Sequence, residues 1–405
     1  MKKTVNIAVI GPGHRGVYLL ETLRNMDDVR IVAVCDERID HANEVAQQCV
    51  DAGCERPFVT ADYHDVLKMD SVDGVIVATS WETHIPITLD CMRAGKYVGF
   101  EVAGSSSIHE MWQLVDTYEK TGTPAMLLEN CCYGETEMSL MNMVRQGLFG
   151  EVVSVECGYR HCLRDGAAKG VAEGRFRSLH NLLRNGDLYP THGVGPMAKL
   201  LGINHGNRFL TISSTASKSC SREEWLRNNL PADNPVRDTR FNQGDVVTSL
   251  IRCAGGELLT VVHDTSLPRP YSRGGTVQGT HGIWTEDGKH IYIENVSPEN
   301  DTWEPDAPYI EKYRHPLWKK FIDSGVDVGG HGGMDYFVLR AFVEAIQNGT
   351  NTPIDVYDAA TWLCITTLSE ESIAQGGAPV MFPDFTNGKY IYPAPNTGSD
   401  YDLNF

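Results

Sequence analysis

The most constraining feature of the chain lies in its first sixteen residues. The apolar run Val5 to Ile10 leads directly into Gly11-Pro-Gly13-His-Arg-Gly16. A Gly-x-Gly-x-x-Gly turn set between a strand and a helix serves three needs. Gly11 allows a tight turn, Gly13 lets the backbone approach a pyrophosphate, and Gly16 permits close helix–sheet packing. The helix N-terminus offers free N–H groups and a favourable dipole for an anion. A second strand, Val29 to Cys35, is followed by Asp36, 20 residues beyond Gly16. An acid there accepts hydrogen bonds from ribose hydroxyls and repels a 2′-phosphate. The expected cofactor is therefore NAD rather than NADP, although Arg15, an arginine near the ribose, could accommodate a 2′-phosphate.

The strand signal repeats at Gly74 to Thr79, Tyr97 to Glu101 and Ala125 to Glu129. Short, nearly continuous apolar runs separated by helical patterns predict a parallel sheet covered on both faces. One helix is well marked. Ser107 stands three before Glu110, Met111, Leu114, Val115 and Tyr118 share a face, and Gly122 ends it. Beyond about residue 130 the pattern changes. Glu151–Tyr159, Leu210–Ser214, Val246–Cys253 and Glu257–His263 read as longer strands without regular helices between them. Residues 218–244 and 266–334 read as irregular. Two closing helices are predicted, one with Tyr336, Leu339, Val343 and Ile346 on a face and Gly349 at its end, the other from Asp358 to Gly376.

The expected fold is thus α/β. An N-terminal Rossmann domain, a doubly wound parallel sheet, spans 1–130. A C-terminal α+β domain with a large, mainly antiparallel open sheet spans 131–405, its last helices packing back towards the N-terminal domain. At 405 residues and 41% hydrophobic content the chain can bury two such cores. No apolar run approaches the roughly 18 residues that span a bilayer. The fold begins at residue 5 with no signal-peptide pattern before it, which predicts a cytoplasmic protein or one whose leader has been removed. A formal charge of -18 argues against nucleic-acid partners and for a small neutral or polar substrate. An exposed face of the second sheet would favour a homo-oligomer, a dimer or larger. The 11 cysteines show no zinc-site spacing and read as reduced, mostly buried thiols, so no metal is expected.

A second constellation lies at Arg184-Asn-Gly-Asp-Leu-Tyr189-Pro-Thr-His192-Gly193. Tyr189 and His192 are three apart and, at a helix start after Pro190, could face one cavity. A tyrosine takes a hydroxyl proton when a cation lowers its pKa, and a histidine passes protons either way near neutrality.

Together these strings resemble the Gfo/Idh/MocA oxidoreductase superfamily and, within it, glycoside hydrolase family 109, the NAD-dependent α-N-acetylgalactosaminidases. The resemblance rests on Val5–Gly16, Trp81-Glu-Thr-His84, Glu101-Val102, Glu129-Asn130-Cys-Cys-Tyr133, Gly158-Tyr159 with Leu163-Arg164, Asn185-Gly-Asp-Leu-Tyr-Pro-Thr-His192-Gly193, and Gly332-Gly-Met-Asp335. It implies that His14, Arg15, Asp36, Trp81, Glu82, Thr83, His84, Glu101, Val102 and Asn130 contact NAD. It implies that Tyr159, Arg177, Tyr189, Pro190, Thr191, His192 and Tyr271 contact sugar, with Tyr189 also touching the cofactor. Arg177 and Tyr271 are placed by their spacing from the Tyr-Pro-Thr-His string. Thr83 stands where the family commonly has a second tryptophan, and Ala103-Gly104 where it has a proline-containing turn.

The implied chemistry is hydrolysis without net redox change. NAD takes hydride from C3 of the sugar while a base, Tyr189 the candidate, takes the hydroxyl proton. The C2 proton is then acidic enough to remove, the aglycone leaves C1, water adds, and the hydride returns. The base at C2 is left open between His192, Tyr271 and His331. The alternative is a sugar or inositol dehydrogenase, and a third reading is a catalytically silent NAD-binding regulator. Dehydrogenases of the superfamily carry a lysine in a Glu-Lys-Pro turn where this chain reads Glu101-Val102-Ala103, which weighs against the dehydrogenase.

Overall fold

A computed structural model describes residues 3–102, 107–324 and 331–404. Ala103 and Gly104, half of the expected turn after Glu101, lie outside the described residues. Six strands form the first sheet: β1 (Val5–Ile10), β2 (Val29–Cys35), β3 (Phe58–Thr60), β4 (Gly74–Val77), β5 (Tyr97–Phe100) and β6 (Ala125–Leu127). Their order is β3-β2-β1-β4-β5-β6, and every pairing is parallel. The order reverses at β1 and β4, which opens a crevice at their C-terminal ends, where the glycine turn lies. Val5, Ile7, Val9, Val75, Ile76 and Val98 are all buried, as continuous apolar runs in a doubly covered sheet require. The helix Ile108–Thr121 starts as expected: Ser107 accepts a hydrogen bond from the Glu110 amide, and Gly122 ends the helix in the left-handed region at φ +69°. The short β3 escaped sequence reading, because three residues of strand carry no period.

The second sheet has nine strands: β7 (Val152–Arg160), β8 (Phe209–Ala216), β9 (Val246–Cys253), β10 (Leu258–Asp264), β11 (Thr276–Gly279), β12 (Gly282–Thr285), β13 (His290–Ile293), β14 (Glu304–Pro305) and β15 (Val380–Met381). Only β7 and β10 pair in parallel; all other neighbours are antiparallel. Alternation is clean in β9, where Val247, Ser249, Ile251 and Cys253 face inward and Thr248, Leu250 and Arg252 face out.

Three expectations need correction. Helices do stand between the long strands, notably Thr191–Leu200 and Ser221–Asn229. The described residues of 266–334 are not all irregular: β11 to β14 and two short helices lie there, too brief to show a period. The last long helix runs Val356–Ala374 and is capped by Asp355, whose carboxylate accepts from the Tyr357 and Asp358 amides. Asp358 is instead buried in the first turn, paired with Lys199 at 2.6 Å.

The closing helices join the two sheets. Met334–Asn348 lies against the first helix, His14–Arg24, and Arg340 binds Asp28 at 2.6 Å. Val356–Ala374 packs against both Ile108–Thr121 and β8. All eleven cysteines are free thiols, eight of them buried. Among the described residues no helix is long and apolar enough to cross a membrane.

Candidate active site

The glycine turn builds one wall of a cavity of about 310 Å³. Gly11 holds φ +74°, and a Cβ there would come within 2.5 Å of the Thr79 methyl. Nothing lies within 4 Å of a Cβ placed on Gly13, so the space above that backbone is open. Gly13, His14, Arg15, Trp81, His84, Glu101, Val102, Arg177 and Tyr189 line the cavity. His84 is buried, and burial pushes its pKa down to about 4. Its neutral ring places Nε2 2.8 Å from the Thr79 carbonyl, which assigns the proton to Nε2, while Nδ1 has no partner among the described residues. An open glycine turn, an unused buried nitrogen and an adjacent acid fit a dinucleotide. Asp36 directly follows β2 beside this turn, whose Gly11 amide donates to the Cys35 carbonyl at 2.8 Å.

A second cavity, about 510 Å³, adjoins the first. Arg15, Glu101 and Tyr189 line both. The other walls include Asn130, Cys131, Tyr159, His161, His192, Tyr271, Arg273 and His331. The approach of the helix Thr191–Leu200 to β7 explains two motifs at once. A Cβ on Gly193 would fall 2.5 Å from the Gly158 amide nitrogen, so only glycine lets the helix sit that close. Tyr159 and His192 are thereby brought to a ring separation of 5.7 Å, and Tyr159 and Tyr189 to 4.7 Å.

His192 is oriented by Glu129, whose Oε1 lies 2.7 Å from Nδ1. Burial alone would lower the His192 pKa, but Cys131 and Glu129 beside it raise it well above the usual histidine range. Burial likewise disfavours ionised Glu129, yet His192 and the Cys131 amide hold it below the ordinary carboxylate value. Tyr189 behaves differently from expectation. Arg177 stacks over its ring at 4.4 Å and His192 stands at 5.0 Å, but burial outweighs both and pushes the phenol up to about 12.

A second carboxylate ties the cavities together. Asp335 accepts from both terminal nitrogens of Arg15 at 2.8 Å, from Asn130 at 2.8 Å, and contacts His331 Nδ1 at 2.8 Å. Arg15 also donates to Glu101 at 2.8 Å. Arg15 is thus neutralised by two carboxylates and is not free to take a 2′-phosphate.

Most expected site residues converge. Several do not line either cavity: Glu82 is exposed and bonded to His180 at 3.0 Å, Thr83 is exposed and bonds Thr79, and Pro190 and Thr191 are buried at the helix start. Sequence reading gave no role to Glu129, Cys131, His161, Arg273 or Asp335. Glu129 and Asp335 sit within quoted motifs, and the available signal was an acid next to a buried apolar run.

Fold and site together define an NAD-binding enzyme, with the nucleotide on the first sheet and a polar, aromatic-lined cavity beside it. Residues 5–128 match the oxidoreductase family with an NAD-binding Rossmann fold, and residues 133–392 match the C-terminal domain of glycosyl hydrolase 109. The chain belongs to glycosyl hydrolase family 109. It is 42% identical to a glycosyl hydrolase family 109 protein of Stenotrophomonas maltophilia, covering 97% of this chain and 91% of that one. It is 40% identical to the α-N-acetylgalactosaminidase of Tannerella forsythia, covering 95% and 87%. Among solved structures, levoglucosan dehydrogenase with NADH and levoglucosan superposes with a TM-score of 0.70 at 17% identity, over 94% of this chain and all of that one.

Proposed function

We propose that the enzyme releases terminal, α-linked N-acetylgalactosamine by a sequence of oxidation, elimination, water addition and reduction with no net redox change. The observation that carries this is the position of Tyr189, in the wall shared by the nucleotide cavity and the cavity lined by His192 and Tyr271. The sugar itself is inferred from relatives, two of which are named α-N-acetylgalactosaminidases.

NAD, when bound, supplies hydride abstraction from the sugar ring and its return. His14, Arg15, Trp81, His84, Glu101 and Val102 would hold it, with Asp36 at the ribose. The chain's own residues manage protons and position. Tyr189 would take the proton of the reacting hydroxyl as a phenolate; burial pushes its phenol up to about 12, and the positive charge that bound NAD would bring beside it favours the ionised form. His192, fixed by Glu129, is assigned as the group that moves the C2 proton, because its side chain is 17% exposed at the wall of the cavity, whereas that of His331 is 58% exposed and held by Asp335. Tyr159 and Tyr271 offer ring faces to the sugar, and Arg177 braces Tyr189. His331 is engaged by Asp335 and serves the positioning network.

The test uses aryl α- and β-glycosides with and without the N-acetyl group. Release of N-acetylgalactosamine from the α-glycoside without net NADH supports the reading; stoichiometric NADH would move it to a dehydrogenase. In heavy water the released sugar should carry deuterium at C2, and a product with none removes the elimination step. We also infer self-association through the outer face of the second sheet, where Leu250 and Leu258 are 43% and 40% exposed. Light scattering that shows a monomer would overturn it.

A further inference from the structure

The mechanism above gives Cys131 no task, yet its thiol lies in the wall of the sugar cavity between two functional groups. Glu129, Cys131 and His192 each offer a ligand atom, and the three atoms all lie within 4.8 Å of one another. Cys131 and Glu129 stand together at the end of the first sheet, and His192 comes from the helix that packs onto β7. No sequence spacing reveals this set, because 60 residues lie between Cys131 and His192.

We propose that Glu129, Cys131 and His192 form a binding site for a thiophilic divalent cation of the zinc class, and that its occupancy switches the enzyme off. One sulfur, one nitrogen and one carboxylate oxygen make a three-ligand set that leaves a fourth position open. Thiolate and imidazole select zinc over magnesium or calcium, which need more oxygen ligands. Cys131 and His192 line the larger cavity, through which a cation can reach the set.

One feature of the surroundings favours a cation. Glu129 Oε2 is fully buried and accepts no well-aligned hydrogen bond among the described residues, with the Thr191 hydroxyl beside the carboxylate. A buried carboxylate oxygen without a well-aligned donor is costly, and a cation removes that cost. Arg273 Nη1 lies 3.4 Å from Cys131 Sγ. The arginine's own charge is balanced by Glu137, with which it pairs closely.

The adjustment needed is small. Nδ1 of His192 and Oε1 of Glu129 stand 2.7 Å apart across a shared proton. Tetrahedral ligands at zinc bond lengths of about 2.0–2.1 Å stand roughly 3.3 Å apart. The pair opens slightly as the cation replaces that proton, and the thiol moves inward. Protons displaced from the thiol and from the histidine–carboxylate pair pass to solvent, and no electrons move. With Nδ1 or the opposed carboxylate engaged by metal, His192 cannot exchange a proton with the sugar.

Cobalt(II) reports the site directly. Titration into the whole enzyme should produce a thiolate-to-metal charge-transfer band of one equivalent per chain, displaced by zinc. In Cys131→Ser the band should vanish although ten other thiols remain; a band that persists there, or none in the parent, overturns the site. Calorimetry should show zinc affinity lowered at least about 100-fold in Cys131→Ser and in Glu129→Gln, beyond the loss typical of an outer partner. Unchanged affinity in the near-isosteric serine variant would also overturn it, whether or not the glutamine variant folds. The switching half rests on the glycosidase reading: zinc should reduce glycoside cleavage at least about tenfold, and a chelator should restore it. Full activity with the site filled overturns the switch. A chain inactive on every glycoside would sink the proposed function and leave the cobalt titration standing.

Discussion

The two cavities that meet at Tyr189 are built in opposite ways. The nucleotide side is made from backbone shape: a left-handed Gly11, open space over Gly13 and a strand that ends just before Asp36. The sugar side is made from charge. Glu129 holds His192, Asp335 holds Arg15 and Asn130, and Glu137 holds Arg273, each joining residues more than sixty apart in sequence. Shape encoded in a turn tolerates side-chain loss around it. A network of buried charges does not, because removing one member strands its partner in a low-dielectric interior.

That contrast predicts its largest effect at His192. His192→Ala should lower kcat/KM by about 10²- to 10⁴-fold, the range for loss of a positioned proton-transfer group. Glu129→Gln should approach the same loss while leaving NAD affinity within about threefold, since Glu129 does not line the nucleotide cavity. Steady-state kinetics with a nucleotide titration check both. Equal damage to NAD binding would show that the two cavities are not separable.

Asp335 tests the joint between them. Asp335→Ala frees Arg15, Asn130 and His331 together. Displacement of groups that only position the reactants can cost about 10²-fold, and kcat should fall more than KM rises. Arg15 should then face the open ribose side, so discrimination against NADP should narrow. If discrimination is unchanged, Arg15 is held by Glu101 alone.

The same contrast explains what the sequence could reveal. The turn Gly11–Gly16, the strands Val5–Ile10 and Val29–Cys35 and the cap at Ser107 follow from local rules, and the structure reproduces them to the residue. β11 to β14 are four or fewer residues each and are held by neighbours in the sheet, so no local pattern marks them. Tyr189 and His192 were legible as a pair because they share one helix start. Their partner Glu129 was not, since its contact is made only after the helix Thr191–Leu200 docks on β7. The expected lowering of the Tyr189 pKa failed for a related reason: the cation over its ring was foreseeable in kind, but the depth of burial was not.

On the nucleotide side the expected effects are smaller. Asp36 is 8% exposed and stands beside the glycine turn. Asp36→Ala should weaken NAD binding by about 10- to 100-fold, the worth of hydrogen bonds to a charged group, and should weaken NADP binding less. Fluorescence titration of both nucleotides measures this. A variant that loses affinity for both equally would place the ribose elsewhere.

The smallest effect concerns stability rather than chemistry, and it separates the network from its neighbours. Asp187 is 1% exposed; its Oδ1 accepts from the Tyr189 amide at 3.1 Å, and Oδ2 has no partner among the described residues. Burial pushes its carboxyl up to about 7. Between its unfolded value near 4 and that folded value, the native state holds a proton that the unfolded chain has lost, so stability falls as pH rises. Below the unfolded value the penalty is absent, and above the folded value it is complete. Asp187→Asn keeps the acceptor for Tyr189 and removes the titration. The variant should therefore gain in Tm on the parent as pH is raised from 4 to 8, by a few degrees at most for a chain this long. A difference that does not change with pH would mean that Oδ2 is paired with a donor in solution. The carboxylate would then belong with Asp335, both of whose oxygens accept from Arg15, as a satisfied member of the charge network rather than an unpaired group beside it.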